Sequence, residues 1–169
     1  MAARDVRKNL NLFVDGRGYA GQIIDFNAPK LTLQTEEFRG GGMDAPLALT
    51  MGMEAMNTDF ALLAYDADVL ALFGVAEGSS VPFVAREGLE SYDGTVTPVV
   101  HTMRGKITAI DPGTSKPGEV PELRFTMNLS YYKMQHGSRV VHEIDVENYV
   151  RIINGVDALS AMASALAIR

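Results

Sequence analysis

The residues best suited by type to bind a phosphate are three consecutive glycines, Gly40, Gly41 and Gly42. A P-loop requires G-x-x-x-x-G-K-[ST], and a dinucleotide-binding turn requires G-x-G-x-x-G between a strand and a helix. The glycines are followed by Met43 and Asp44, and the stretch supplies neither a lysine nor the start of a helix. The spacing therefore excludes both nucleotide-binding motifs, and we expect no cofactor here.

The three histidines are the next candidates, as metal ligands or as general bases. His101 and His142 lie in predicted strands and His136 in a predicted turn, without the H-x-x-x-H or H-E-x-x-H spacing that places two imidazoles on one zinc ion. The chain has no cysteine, and no serine lies in a G-x-S-x-G motif. The sequence therefore predicts neither a metal site nor a nucleophilic catalyst.

Three carboxylates, Glu143, Asp145 and Glu147, alternate along a predicted strand, so their side chains share one face. An acid–base pair needs environments that separate the pKa values of its two carboxyl groups, and spacing alone does not reveal such environments. A solvated strand face carries the same pattern. We interpret these residues as a candidate acidic stripe, and we expect that the protein is not an enzyme.

Strands must position most of these residues. Apolar and polar side chains alternate from Glu122 to Tyr131 and from Thr95 to Asp111, with a phase change at Tyr131 and Tyr132 that predicts a bulge. Further predicted strands are Asn11–Val14, Tyr19–Phe26, Pro29–Phe38 and Val140–Val146; predicted helices are Asp66–Phe73 and one that starts at Asn154 or Gly155. The pattern predicts a mainly β fold, a β-sandwich or barrel of two packed antiparallel sheets with one or two short α-helices.

Composition limits the possible partners. A chain of 169 residues is long enough for a single domain with a core, and a net charge of −6 argues against a nucleic-acid-binding surface. Nowhere do eighteen apolar residues run together, so we expect no membrane anchor. Long strands with two distinct faces leave edges that invite pairing with another chain. Assembly is therefore a stronger expectation than catalysis, although strands alone do not exclude an enzyme or a ligand-binding barrel.

Residues 39–56 combine flexible glycines with four of the nine methionines. A disordered linker is polar and rich in glycine and serine, whereas this segment is apolar. Methionine fills irregular gaps at contact surfaces. We therefore predict a protruding loop that docks on a partner through Arg39, Gly40, Gly41, Gly42, Met43, Asp44, Leu47, Leu49, Met51, Met53 and Met56.

Six short motifs carry a resemblance to a known family. They are NLFVDGRGYAG (11–21), PKLTLQTEEFRGGGMDAP (29–46), MRG (103–105), DPGTSKPGE (111–119), SYYK (130–133) and EIDVENYVRIINGVDAL (143–159). In this order they resemble the major tail tube proteins of contractile-tailed bacteriophages and the similar tube proteins of R-type pyocins. The resemblance covers about residues 9 to 160. The chain departs from the family pattern at its end, SALAIR.

The resemblance implies a structural subunit whose hexameric rings stack into a hollow tube, with strands joining between subunits into a tube-lining β-barrel. It implies a tail sheath outside the tube, tape-measure protein and DNA in the lumen, and a baseplate and tail terminator at the ends. It also implies assembly in the cytoplasm of the host bacterium and a final place in the virion tail. On sheath contraction the tube would be driven through the target cell envelope. The alternative is the tube subunit of a headless pyocin-like particle or of a type VI-secretion-like system.

Within that expectation, the loop at residues 39–56 becomes an inter-subunit contact, in the same ring or the next. A ring face that keeps a complementary partner stacks into an open polymer. We expect the glycines to act as a hinge, the methionines to form the contact surface, and the loop to be mobile in the isolated subunit.

Overall fold

The computed structural model describes residues 3–63 and 65–169. In this part of the chain the strands are β1 (Val6–Val14), β2 (Arg17–Gly18), β3 (Ile23–Asn27), β4 (Leu33–Phe38), β5 (Leu47–Met53), β6 (Met56–Leu62), β7 (Val81–Glu90), β8 (Val96–Asp111), β9 (Leu123–His136), β10 (Arg139–Asp145), β11 (Val150–Ile153) and β12 (Val156–Asp157). The helices are α1 (Ala67–Leu70) and α2 (Ser160–Ala165). The predicted mainly β fold with short helices is confirmed.

The strands form one large antiparallel sheet and one separate hairpin, β4–β5. The main order is β12-β11-β10-β9-β8-β7-β1-β2. On the edge opposite β8, the first half of β9 pairs with β6 and its second half with β10, and β3 continues beyond β6. We predicted two packed sheets. Because β9 is long enough to pair with two strands in succession on one edge, the layers are instead branches of one sheet.

The sheet curls around a core formed by the inward faces of its long strands. In β9 the predicted alternation buries Phe125, Met127 and Leu129. Phe60 of β6 stacks on Phe125 with ring centroids 5.0 Å apart, and Phe83 of β7 lies 5.8 Å from Phe60. Since β6 and β7 are not neighbours in the sheet, the second contact crosses the interior. The sheet therefore folds over so that β6 and β7 face each other across these aromatic rings.

A bulge interrupts the pairing of β8 and β9 next to the predicted position. The register shifts between Leu129 and Tyr131, one residue before the predicted Tyr131–Tyr132 step. At this point Gly105 of β8 lies so close to β9 that an added Cβ would lie 2.1 Å from the backbone oxygen of Asn128. The two central strands can approach this closely only because residue 105 has no side chain.

An ion-pair cluster ties three strands together at the branch point. Arg124 of β9 donates to both carboxylate oxygens of Asp25 in β3, at 3.1 and 2.7 Å, and to Asp59 in β6 at 2.5 Å. The hydrogen bonds to Asp25 and Asp59 raise the pKa of Arg124. Because the guanidinium binds Asp25 in bidentate geometry and also contacts Asp59, it holds β3 and β6 to β9 in a defined position.

The second predicted strand, Tyr19–Phe26, does not pair with the first along its length. Only Arg17 and Gly18 pair with β1, whereas Ile23–Asn27 pairs with β6. The reason is a turn, in which the amides of Gln22 and Ile23 both donate to the carbonyl of Tyr19 and redirect the chain. The predicted strand from residue 19 therefore begins only at residue 23.

The helices are shorter than predicted. Asp66 caps α1, where its Oδ1 accepts from the amides of Asp68 and Val69. Asn154 and Gly155 do not start the second helix. Both adopt positive φ angles, 51° and 81°, in a turn that brings β12 back onto β11. Helix α2 begins only at Ser160.

Candidate assembly surfaces

The hairpin β4–β5 is here named the arm. Directly opposite residues of an antiparallel pair share a face, and the pairs Phe38 with Leu47 and Glu36 with Leu49 define one face of the arm. Phe38, Leu47, Leu49 and Met51 are 55%, 55%, 44% and 62% exposed. The arm therefore carries an apolar surface with one carboxylate in it, and the subunit leaves that surface uncovered.

The opposite face of the arm is polar toward the tip, where the pairs Thr35 with Thr50 and Glu37 with Ala48 form it. At the base of the arm the apolar pair Leu33 with Met53 continues this face. Such two-faced patterning is typical of a sheet that is buried on one side only. An isolated two-stranded hairpin is marginally stable in water, so a covering partner would also stabilise the arm.

The tip of the arm holds the predicted glycine cluster. The amide of Met43 donates to the carbonyl of Gly40 at 3.3 Å, and Arg39 Nε donates to the carbonyl of Met43 at 3.2 Å. Asp44 follows in a bend and is exposed. Of the three glycines only Gly42 has a positive φ, 86°. We expected a glycine hinge, but these glycines turn the chain at the tip because the residues on both sides of them pair as strands.

The arm joins the large sheet at the end of β5. There the register shifts, Gly52 adopts a φ of 143° that residues with a Cβ rarely reach, and the amide of Glu54 donates to the carbonyl of Thr32. Met53 is partly buried at this base, and Met56 is 2% exposed inside the core of its own subunit. Met56 is thus wrongly included in the predicted contact loop, because it already belongs to β6.

An apolar groove runs between the base of the arm and strands β10 and β11; it is named the base groove. It consists of two cavities of about 320 Å³ each, which share Met53, Ile144 and Arg151 as walls. Val150 and Leu159 complete one cavity. This groove has no signature in the sequence, because its walls come from segments about ninety residues apart.

The predicted acidic stripe is shorter than expected. Glu143 and Asp145 share the outward face of β10, but the strand ends at Asp145, and Glu147 lies in the following turn. Asn148 closes this turn by donating from its amide and side chain to the two oxygens of Asp145, at 3.0 and 2.7 Å. The alternation of residues 143–147 therefore does not continue as a strand face.

Basic side chains interrupt the stripe. Glu143 lies directly opposite Lys133 of β9 and accepts from the hydroxyl of Tyr131 at 2.9 Å. Arg104 of β8 lies 4.6 Å above the Tyr131 ring and 3.9 Å from Asp145. Burial and then the hydrogen bond to Glu143 raise the pKa of Tyr131 to about 12. The outward face of β8–β10 is thus polar and of mixed charge.

All three histidines line one open pocket of about 550 Å³. His101 is 2% exposed, with its Nε2 3.4 Å from Glu87 Oε2 and its Nδ1 3.0 Å from the hydroxyl of Tyr132. Because a carboxylate only accepts, Nε2 carries the proton and Tyr132 donates to Nδ1. Arg7 Nε lies 3.1 Å from the other oxygen of Glu87. The cluster thus holds one buried carboxylate between a neutral imidazole and a guanidinium.

Burial favours the uncharged forms of His101 and Tyr132. It lowers the pKa of His101 below 6.5, and Glu87 opposes that shift only in part. Burial and Glu87 raise the pKa of Tyr132 to about 12. His136 lies at the end of β9 instead of in the predicted turn. Among residues 3–63 and 65–169, no three His, Asp or Glu side chains come together as metal ligands.

The comparisons with known proteins agree with the sequence motifs. The model of the family described as "Phage tail tube protein FII" matches residues 5–166. The chain belongs to this family of phage tail tube proteins. It is 30% identical over 156 residues to the tail tube protein of Escherichia phage P2, covering 90% of this chain and 91% of that protein. It is also 30% identical over 147 residues to the major tail tube protein of Serratia phage KSP20, covering 82% and 81% of the two chains.

Membership of the phage tail tube family makes the chain a structural tail tube subunit that assembles into a tube with other tail components, and its place is the tail of the virion. A solved structure, the Dit protein of phage SPP1, matches with a TM-score of 0.43 at 10% identity over 76% of this chain and 53% of that protein. This likeness is too weak for an argument. Of the helices in the described residues, none has the length and apolar character needed to cross a membrane.

Proposed function

We propose that six copies of this tail tube subunit form a ring, that the rings stack into a hollow tube, and that the apolar face of the arm makes the contacts between copies. One observation carries the proposal: Phe38, Leu47, Leu49 and Met51 form an apolar surface that the subunit leaves in water. Exposed apolar patches of this kind mark interaction sites. The proposed contact residues are those predicted from Arg39 to Met53, without Met56 and with Phe38 added.

The outward face of β8–β10 has the opposite character, and we assign it to the lumen. It carries the cations Arg104 and Lys133 beside the anion Glu143, with the Tyr131 hydroxyl between them, so both signs of charge are present. The central parts of protein interfaces are depleted in charged residues, whereas a water-filled channel accommodates them. A polar face of mixed sign lets DNA and tape-measure protein pass without strong adsorption.

The remaining partners follow from the tail tube role: a sheath outside the tube, a baseplate at one end and a terminator at the other. In this proposal the chain has no catalytic role. Sheath contraction drives the tube through the target cell envelope, and large obligate interfaces, on the order of 2,000 Å² or more, keep it intact.

Electron microscopy of the purified protein at increasing concentration tests the proposal. The double variant Leu47→Ser with Leu49→Ser should stay monomeric while wild type forms rings or tubes. The matched control, Ala48→Ser with Thr50→Ser, changes the polar face of the same strand and should assemble. Both variants should retain the wild-type circular dichroism and melting temperature, because the replaced side chains lie outside the core. Wild type that remains monomeric at all concentrations, or a Leu47/Leu49 variant that forms normal tubes, would refute the assignment.

A further inference from the structure

We propose that the apolar face of one subunit's arm docks into the base groove of a second copy, with Glu36 of the arm paired to Arg151 of the groove. This inference rests on the proposed function and names the surface that the arm contacts. The subunit presents both halves of such a contact, an apolar strand face and an apolar groove. A chain that polymerises with itself must carry both halves.

The subunit's own arm does not fill its groove. Met51 and Met53 line one of the two cavities, but Phe38, Leu47 and Leu49 lie farther along the arm and are about half exposed. Successive side chains on one strand face are about 7 Å apart. Two adjoining cavities that share a wall suit two such side chains from another copy.

Charge complementarity selects a second copy as the occupant. Glu36 lies in the apolar face of the arm, opposite Leu49. Arg151 is a wall of both cavities. Within the described part of the chain, neither side chain forms an ion pair. A carboxylate that is to be buried in an apolar contact needs a cation, and Arg151 is placed to supply it.

Two acidic residues, Asp145 and Glu54, also border the groove, and neither forms an ion pair with Arg151. Asp145 accepts two hydrogen bonds from Asn148 and faces Arg104. Glu54 is exposed at the base of the arm. Arg151 is the lysine or arginine side chain among the groove's walls, and in the described residues it has no acidic partner.

The contact is heterologous, because arm and groove are different patches of the same chain. A heterologous contact repeats head to tail and generates a ring when the rotation closes, or an open polymer when it does not. Each copy then gives one arm and receives one. The contact thereby explains how a single subunit type propagates without a separate connector.

Charge exchange tests the pair. Glu36→Arg and Arg151→Glu should each abolish tube formation, and the double variant Glu36→Arg/Arg151→Glu should restore it. Glu37→Arg is the matched control, since Glu37 lies on the polar face one residue away, and it should assemble. Circular dichroism and melting curves report whether each variant folds.

Mixing the two single variants tests that the pair joins different copies. The altered arm of the Glu36→Arg protein would meet the altered groove of the Arg151→Glu protein with opposite charge, and the two unaltered partners would meet as in wild type. The mixture should therefore form tubes although neither variant does so alone. Three outcomes would overturn the inference: normal tubes from both single variants, no rescue in the double variant and the mixture, or loss of assembly in Glu37→Arg. In each case tubes of the wild-type protein would still support the proposed function. Wild type that never assembles would refute the proposed function itself.

A covalent readout does not depend on charge. The chain has no cysteine, so Leu49→Cys with Val150→Cys introduces the only two thiols. Oxidised tubes of this variant should give a ladder of disulfide-linked multimers on a non-reducing gel. Thr50→Cys with Val150→Cys, which places the first thiol on the opposite face of β5, should give monomers. A ladder from the control alone would contradict the docking.

Discussion

Gly105→Ala should destabilise the subunit more than any other glycine replacement within a strand of the large sheet. The added Cβ would lie 2.1 Å from the oxygen of Asn128, and 2.9 Å from both the carbonyl carbon of Asn128 and the Cα of Leu129. All three atoms belong to the backbone of β9, so no side chain can rotate away. The two central strands would have to separate beside the bulge.

The magnitude follows from the nature of the obstacle. Overpacking a folded interior costs about 1–3 kcal/mol, and a backbone obstacle places Gly105→Ala near the upper end, at about 3 kcal/mol. For a domain of this length, about 1 kcal/mol lowers the melting temperature by about 2–4 °C. We therefore expect a loss of about 6–12 °C.

Gly88→Ala is the matched control. Gly88 lies in β7 of the same sheet, lacks a positive φ, and has nothing within 4 Å of its added Cβ. Its replacement should be neutral or should stabilise by about 0.4–1 kcal/mol through the unfolded chain. The assay is urea and thermal unfolding at a concentration where wild type sediments as a monomer. If the two variants unfold within about 0.5 kcal/mol of each other, the close approach of β8 and β9 does not constrain the fold.

Four further outcomes are expected. The pKa of His101 is lower in the folded protein than in the unfolded chain. As the pH decreases through about 6.5, the unfolded chain therefore binds more protons than the folded protein. The urea concentration at the unfolding midpoint should decrease when the pH is lowered from about 8 to about 5. His101→Gln should flatten this dependence and His136→Gln should not; equal slopes in all three proteins would contradict the buried imidazole. Arg124→Lys should lose its bidentate bonds and about 0.5–1 kcal/mol of stability, and a loss that does not shrink in high salt would argue against an electrostatic role. Tubes of the variant Glu143→Gln with Asp145→Asn should assemble with altered DNA delivery, whereas failed assembly would place these residues at an interface. In the isolated subunit, amides of β5 should exchange hydrogen faster than those of β9, because a two-stranded hairpin has little packing; equal protection would exclude a mobile arm.

The long strands could be predicted from the sequence because their burial has a period of two. β8 and β9 each have one face in the core, so the alternation alone located both strands to within a few residues. The bulge lies one residue before its predicted position. Strand β5 carries the same signal, with Leu47, Leu49, Met51 and Met53 alternating with smaller residues. It was interpreted as a loop because the glycines before it allow unusual backbone angles and its methionines suit a contact surface, although pairing with β4 makes it a strand.

The base groove and the histidine pocket could not be predicted, because distant segments form both. His101, His136 and His142 have no metal-binding spacing in sequence, yet β8, β9 and β10 are neighbours in the sheet and bring them to one pocket. The acidic stripe failed for a related reason. Spacing placed Glu143 and Asp145 on one face but did not reveal that Lys133 and Arg104 interleave with them from adjacent strands.

Burial is favourable for the apolar face of the arm and unfavourable for the charged outward face of β8–β10. This difference sets the orientation of the subunit in the proposed tube. Covering Phe38, Leu47, Leu49 and Met51 removes apolar surface from water, which favours association. Covering Arg104 and the charges beside it would cost desolvation that surface ion pairs do not offset. In a closed ring the face that must stay wet can point inward only if the lumen is filled with solvent. A variant that adds apolar side chains to this outward face should therefore narrow or occlude the channel without weakening the arm contact, and cryo-electron microscopy of its tubes would reveal an unchanged ring around a changed lumen.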